Sequence, residues 1–373
     1  DRQAAGAGSR AARRAAVWAL CASRAGVAAS SRVVDRIVGR WTAPPQHVPT
    51  TRVPDGPALG NGAFGAVATW TESAPEVAFH VGHNAFFAAP TSSVSSCGYA
   101  GGGRKALGGF ALRFGTFGTA SVVAEQLPAN ASARVAVRGA GWAIEAIAYV
   151  HATEDRLVLQ VTSDSTIDVK ATLWTYSGCH GSPRPPLAAK LTTRKGRISQ
   201  ATSPTTDRLP SEAAASPEAL EVSRATGWLF QADNFDVRWF QLVTRRAPIF
   251  TEAAVLGNCG PAGGPCAEGS FRMTPGTTPI VVDLVQRGLR EAPGRMLPLP
   301  EQADMWSTHV EAWAEYWAQS SIELPDSPVT ELHWYMSQYL LRASARGRAA
   351  PGLFGPFVLD DEVAWAGDIT LNY

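Results

Sequence analysis

A tryptophan beside carboxylates in an irregular segment is the clearest sign of chemistry in this chain. Trp365 lies in Val363-Ala-Trp-Ala-Gly-Asp368, among small and acidic residues after the last helical pattern, where binding loops belong. An indole covers the apolar face of a hydroxyl-rich ligand while carboxylate and amide groups exchange hydrogen bonds with its rim. The chain holds twelve tryptophans in 373 residues. Apolar faces of sugars stack on such rings, although Trp306, Val310, Trp313 and Trp317 read as core. Asp360-Asp361-Glu362 has the chemistry of a cation ligand or a general base, but such runs are more often solvated loops. His80 and His83, three apart, point to opposite faces of an extended strand and are not expected to share a metal. Gly60-Asn-Gly62-Ala-Phe-Gly65 matches the dinucleotide fingerprint letter for letter. Its context does not fit: Pro54-Asp-Gly-Pro57 precedes it and strand-like Ala66-Val-Ala-Thr-Trp70 follows, where a strand should end and a helix begin. A glycine-rich turn entering a strand is the better reading. No HExxH, paired CxxC or GxSxG spacing occurs, and no cofactor or metal is expected.

The elements that must position these residues fall into two regimes. From Trp41 to Pro298 the hydrophobic period is two. Glu76–His80, Phe110–Phe114, Arg134–Val137, Trp142–Tyr149, Arg156–Val161, Ile167–Ala171, Trp228–Gln231, Val237–Gln241 and Ile280–Val285 read as strands. Many short strands without intervening helices imply a β-sandwich or barrel over residues 41–298. Ser182–Pro217, rich in Pro, Ser, Thr and Ala, reads as an exposed excursion. After Pro300 the period becomes helical. Trp306, Val310, Trp313 and Trp317 share one face. Asp326 or Ser327 can cap a second helix with Pro328 in its first turn, and Leu332, Tyr335, Met336, Tyr339, Leu340 and Ala343 form its apolar face. Two helices so rich in aromatics cannot bury themselves alone, so residues 299–373 read as the start of a helical domain that continues beyond them.

Composition narrows the classes. Hydrophobic residues make up 45% and charged residues 17%, enough for a large core. The net charge of +1, from 33 basic against 32 acidic residues, argues against a general nucleic-acid binder, which would normally show a clustered basic face. The split of 29 Arg against 4 Lys reflects coding bias, not phosphate recognition. No apolar run reaches the ~18 residues of a spanning helix. Residues 1–40 carry eight Arg and two acids. Arg10-Ala-Ala-Arg13-Arg14, the apolar Ala15–Ala22 and small residues Gly26–Ser31 follow the order of a leader, set against a natural amphipathic helix. These residues are set apart as a leader or disordered segment, implying secretion or the secretory-pathway lumen. The cysteines are Cys21, Cys97, Cys179, Cys259 and Cys266. The turn-rich Cys259–Cys266 loop is either closed by a short disulfide or holds two free thiols. Asn130-Ala131-Ser132 is a glycosylation sequon, a pattern common by chance.

Three phrases resemble glycoside hydrolase family 95. Pro57-Ala-Leu-Gly-Asn-Gly-Ala-Phe-Gly65 is similar to the family's L-P-x-G-N-G-x-L-G. Tyr335-Met-Ser-Gln-Tyr-Leu-Leu-Arg-Ala-Ser-Ala-Arg346 with Ala350-Pro-Gly-Leu-Phe-Gly-Pro356 is similar to its YLL-x-S-S-R and L-P-A-N-L-Q-G-x-W phrases. Trp365-Ala-Gly-Asp-Ile-Thr-Leu-Asn-Tyr373 is similar to its tryptophan followed by S-D-Y-H-x-N-I-N. Order and separation agree as well; between the phrases the chain matches only in kind.

The resemblance implies a β + α multidomain protein: an N-terminal β-sandwich followed by the first helices of an (α/α)6 barrel, here incomplete. It implies an exo-acting hydrolase of terminal α-L-fucosides or α-L-galactosides that inverts the anomeric carbon, with a carbohydrate as partner. Asn372 aligns with the first asparagine that helps activate or hold the attacking water. Trp365 is implied as a sugar platform, and Asp368 as an anchor of the loop or of a sugar hydroxyl. Thr370 stands where the family has histidine, and its smaller side chain leaves room for a larger C5 substituent. The general acid lies further along the family's barrel, so the 373 residues alone are expected to be inactive. The alternatives are a non-catalytic carbohydrate-binding sandwich, or a polysaccharide lyase, which would leave an unsaturated, ultraviolet-absorbing product.

Overall fold

The computed structural model describes residues 32–46, 55–71, 74–88, 103–104, 106–115, 120–174, 189–194, 197–202, 225–231, 234–246, 252–256, 266–288, 300–346, 351–352 and 354–357. All nine runs with period two lie inside strands, because alternate side chains leave an extended chain for the same face. With strands numbered in chain order, the described residues form two large antiparallel sheets. The larger runs β1 (Gly39–Trp41), β8 (Ser121–Leu127), β9 (Ser132–Gly139), β10 (Trp142–Val150), β11 (Arg156–Ser163), β19 (Gly276–Gly288), β16 (Asn234–Arg246), β14 (Arg197–Thr202) and β13 (Ala189–Arg194). In the same sheet β15 (Ala225–Gln231) also pairs with β16. The smaller sheet runs β17 (Glu252–Leu256), β18 (Cys266–Met273), β12 (Ile167–Trp174), β7 (Gly108–Phe114), β4 (Ala74–His83), β3 (Phe64–Thr71) and β2 (Ala58–Gly60). A short ribbon joins β5 (Phe87–Ala88) to β6 (Gly103–Arg104).

The inward faces of the two sheets build one core. Phe79, Phe110, Leu112 and Phe114 of the smaller sheet meet Val135, Ile144, Leu157, Leu159 and Val282 of the larger. Fully burying each such side chain contributes about 1.5–3 kcal/mol. The chain crosses repeatedly between layers, so neither sheet forms from one contiguous stretch.

Two helices lie against this sandwich: α1 (Gln302–Trp317) and α2 (Pro328–Ser344). Their buried stripes are Met305, His309, Trp313 and Trp317, then Glu331, Tyr335, Tyr339 and Ala343. Each stripe includes a polar residue, His309 or Glu331, that an apolar count passes over. The face of α1 is therefore rotated by one residue from the pattern of Trp306 and Val310, and Leu340 of α2 is 41% exposed. Ser327 does precede α2, with Pro328 opening it, but its side chain makes no capping hydrogen bond. The aromatics that cannot bury themselves alone are buried here on the sandwich. They share a cluster with Ala58, Val67 and Ala131, and with Val34 and Ile37 near a 3₁₀ helix, η1 (Val33–Arg36).

Two boundaries differ from the sequence reading. Residues 33–40, set apart in the sequence reading with the leader or disordered segment, pack on the sandwich. Val34 is buried, and β1 pairs with β8 from Gly39↔Gln126 to Trp41↔Ala124. Part of the 182–217 excursion is sheet, because β13 and β14 form a hairpin whose second strand pairs with β16. Its Lys, Thr, Arg, Ser and Gln residues hid it from a search for apolar alternation.

Cys266 sits opposite Trp174 and is disulfide-bonded, which rules out the free-thiol reading for it. The other four cysteines lie outside the described residues. Thiol titration of the denatured, unreduced chain is expected to find at most three of the five cysteines free. Five free thiols would contradict the bond.

Candidate functional site

Two of the three family-like phrases, those at residues 57–65 and 335–356, meet at one corner of the sandwich. Gly60, Asn61 and Gly62 form the turn between β2 and β3, and the end of α2 lies across it. The Gly62 N–H donates to the Ala343 carbonyl at 2.8 Å, and the Arg346 N–H returns a bond to the Gly62 carbonyl at 2.9 Å. The glycines are there because the backbones approach so closely. A Cβ on Gly60 would lie 2.4 Å from the Ala343 carbonyl oxygen, and one on Gly65 would lie 2.7 Å from Pro356 Cγ. Gly62 also has φ +91°, where side chains are strained. One turn earlier on α2, the fully buried Tyr339 hydroxyl donates to the Ala58 carbonyl at 2.6 Å and accepts from Gln126 Nε2 at 3.2 Å. Burial pushes that phenol's pKa up, with the Gln126 bond a smaller opposing influence. The turn-into-strand reading of Gly60–Gly65 therefore holds, and the context of a phosphate-binding loop is absent.

A set of polar side chains fixes the turn from the other side. Asn61 Oδ1 accepts from the N–H groups of Ala63 and Phe64, both at 2.9 Å, and its Nδ2 donates to the Glu154 carbonyl at 3.1 Å and Asp155 Oδ1 at 3.2 Å. Asn84 Nδ2 donates to the carbonyls of Gly62 at 2.7 Å and Ser344 at 2.8 Å. His83 Nδ1 accepts the Ala85 N–H at 3.0 Å, so Nε2 carries the proton and donates to Asp155 Oδ2 at 3.2 Å. Both ring nitrogens are thus engaged, which makes His83 a brace for the corner. A guanidinium N–H of Arg346 adds a bond to the Ala152 carbonyl. These contacts join β2, β3, the β10–β11 connection and α2. Sequence spacing could not find them, because Asn61 and Asp155 are 94 residues apart.

His80 lies on the opposite face of β4. Val77, Phe79 and Val81 enter the sandwich core, whereas His80 turns outward to Thr69 Oγ1 at 3.2 Å and meets the edge of Trp174 at 5.4 Å. Burial lowers its pKa to about 4, so it is neutral near neutral pH. Among the described residues no group of three His, Cys, Asp or Glu side chains is placed to hold a metal ion. No helix among them is long and apolar enough to cross a membrane. Trp365, Asp368, Thr370 and Asn372 lie outside the described residues, as does Asp360-Asp361-Glu362. What the structure brings together is the frame from which that segment departs: the end of α2, then Phe354–Phe357, with Phe357 packed beside Gly60 and Gly65.

No family model matches the chain, and no curated protein matches it. Among solved structures it is similar to a protein described as a kojibiose phosphorylase from the human microbiome, with a TM-score of 0.46 and 9% identity over 77% of this chain and 39% of that one. It is also similar to a bacterial glucoamylase complexed with acarbose, with a TM-score of 0.41 and 8% identity over 78% of this chain and 40% of that one. The chain thus spans about two fifths of the length of these structures.

Proposed function

We propose that this chain is part of an exo-acting glycoside hydrolase resembling the inverting α-L-fucosidases and α-L-galactosidases. In this reading α1 and α2 begin an (α/α)6 barrel whose sugar site includes residues 365–372. The observation that carries it is the corner described above. Two phrases that resemble one family, roughly 270 residues apart, are packed backbone to backbone there. A carboxylic acid later in the barrel protonates the leaving oxygen, the glycosidic C–O bond breaks, and water attacks the anomeric carbon from the opposite face. Asn372 holds that water, Trp365 covers the sugar's apolar face, and Asp368 anchors the loop or a hydroxyl. Thr370, smaller than the family's histidine, accepts the hydroxymethyl group that distinguishes L-galactose from L-fucose. The disulfide at Cys266 supports a secreted or secretory-pathway protein.

Calorimetry with L-fucose and L-galactose on the 373-residue chain tests the reading. Both sugars are expected to bind, L-galactose at least as well as L-fucose. Trp365→Ala should weaken both about tenfold or more, and Thr370→His should shift the preference toward L-fucose. Absence of binding by either sugar, or an unchanged affinity in Trp365→Ala, would overturn it.

A further inference from the structure

The joint between α1 and the outer face of the larger sheet contains two histidines that the functional reading does not use. His309, on the buried stripe of α1, has no exposed surface, and His151, just after β10, is also buried. Their ring centroids are 6.1 Å apart. His309 Nε2 lies 2.7 Å from the carbonyl oxygen of Asn130, at the end of a second 3₁₀ helix, η2 (Pro128–Asn130). A carbonyl only accepts, so Nε2 carries the proton and Nδ1 is a bare lone pair. Neither that Nδ1 nor the neighbouring Tyr149 hydroxyl has a protein hydrogen-bond partner, although the two rings are 4.5 Å apart. A proton added at Nδ1 would find no acceptor, in a site without water-like screening.

We propose that this joint is an acid-sensitive latch, in which His309 and His151 must stay uncharged for α1 to remain docked on the sandwich.

The surroundings agree from every side. η2 presents only a carbonyl to His309 and has no ionisable side chain. From β10 and its connection come Tyr149 and His151, the latter hydrogen-bonded to Thr308 Oγ1 at 3.1 Å. From the start of β11 comes Arg156, whose guanidinium reaches Met305 Sδ at 3.2 Å. Glu154 at 2.5 Å and Asp283 of β19 at 3.3 Å face Arg156 and offset its charge. Asp304 of α1 is exposed. From α2, Tyr335 and Tyr339 pack on Trp317 and Trp313, and Glu331 pairs with Arg36. No carboxylate contact to His309 is present to welcome a cation. Burial lowers the His309 pKa to about 3, with His151 lowering it further and the Asn130 bond opposing. Burial lowers His151 as well, with the Glu154 carboxylate opposing and the Arg156 charge reinforcing the shift.

The released helix, its histidine titrating near the usual value of about 6.5, therefore binds more protons than the docked one between pH ~6.5 and ~3. Docking weakens as pH falls through that window and is fully present above it. For His309 alone the linkage amounts to an increase in the opening constant of the order of 50-fold between pH 7 and 4.5. Release would bare Trp313 and Trp317, and would withdraw the Trp317 Nε1 bond to the Pro128 carbonyl, now 3.0 Å.

Hydrogen exchange of the α1 amides, corrected for the intrinsic pH dependence, measures this opening. In the native-sequence chain, α1 protection is expected to fall of the order of 50-fold from pH 7 to 4.5 while β10 and β11 stay protected. His309→Gln keeps a donor for Asn130 but cannot titrate, and should remove most of the change. Unaltered α1 protection across that range, or an equal loss in His309→Gln, would overturn the proposal. Should His309→Gln fail to fold, the ring-proton NMR signal of His309 in the unmodified chain decides. The docked ring must stay neutral from pH 7 to 4.5, and its protonation near the ordinary value of about 6.5 while α1 stays protected would overturn the latch equally.

Discussion

Gly62→Ala is expected to detach the end of α2 from the sandwich and to cost at least about 3 kcal/mol of stability. Two penalties coincide at this residue. Its φ of +91° costs an L side chain about 1–2 kcal/mol by itself. The new Cβ would also sit 2.0 Å from Arg346 Cβ and 2.5 Å from the Arg346 backbone nitrogen, so the segment must move. Movement breaks the paired backbone bonds between Gly62 and residues 343 and 346, and the Asn84 bonds that span the same gap. Gly141→Ala is the control. It has φ +81°, but its Cβ would have nothing within 4 Å, so only the backbone strain of about 1 kcal/mol remains. Denaturant unfolding of both variants checks the difference, and equal losses would show that the corner contributes nothing beyond glycine's own conformation.

Trp313→Ala should be the most damaging change within the helices, at about 3–5 kcal/mol. Trp313 is 2% exposed and lies among Tyr316, Trp317 and Tyr339, with the Tyr339 ring 5.3 Å away. Its Nε1 has no hydrogen-bond partner, so truncation costs packing alone. Trp313→Phe, which keeps a ring against Tyr339, should cost roughly half as much. The sandwich core shares none of these residues. Loss of near-ultraviolet circular dichroism should therefore precede loss of β signal in the alanine variant. Coincident transitions with an unchanged midpoint would contradict this account of the joint.

How much of this was legible in the sequence depended on range. The sandwich strands were, because runs such as Trp142–Tyr149 and Arg156–Val161 repeat with period two and pack on one core. The helices were too: Trp313, Trp317, Tyr335, Tyr339 and Ala343 are buried as their spacing implied, while the buried polar His309 and Glu331 escaped an apolar count and Trp306 and Val310 lie one residue off the buried stripe of α1. β1 has only three residues and no alternation to detect. β13 and β14 are polar segments whose strand state is a matter of pairing and not of hydrophobic pattern. At the corner, the glycines of the Gly60–Gly65 phrase were visible, but their reason was not. Only the fold brings Ala343, Arg346 and Phe357 against them. The brace of Asn61, His83 and Asp155 likewise depends on strand order in two sheets.

The central claim is that residues 365–372 form part of a sugar site erected on this corner. A crystal structure of the chain soaked with L-fucose tests it most directly. The account predicts a pyranose ring stacked on Trp365, with a hydroxyl bonded to Asp368 and an ordered water on Asn372. A sugar bound elsewhere, with Trp365 buried in packing, would contradict it.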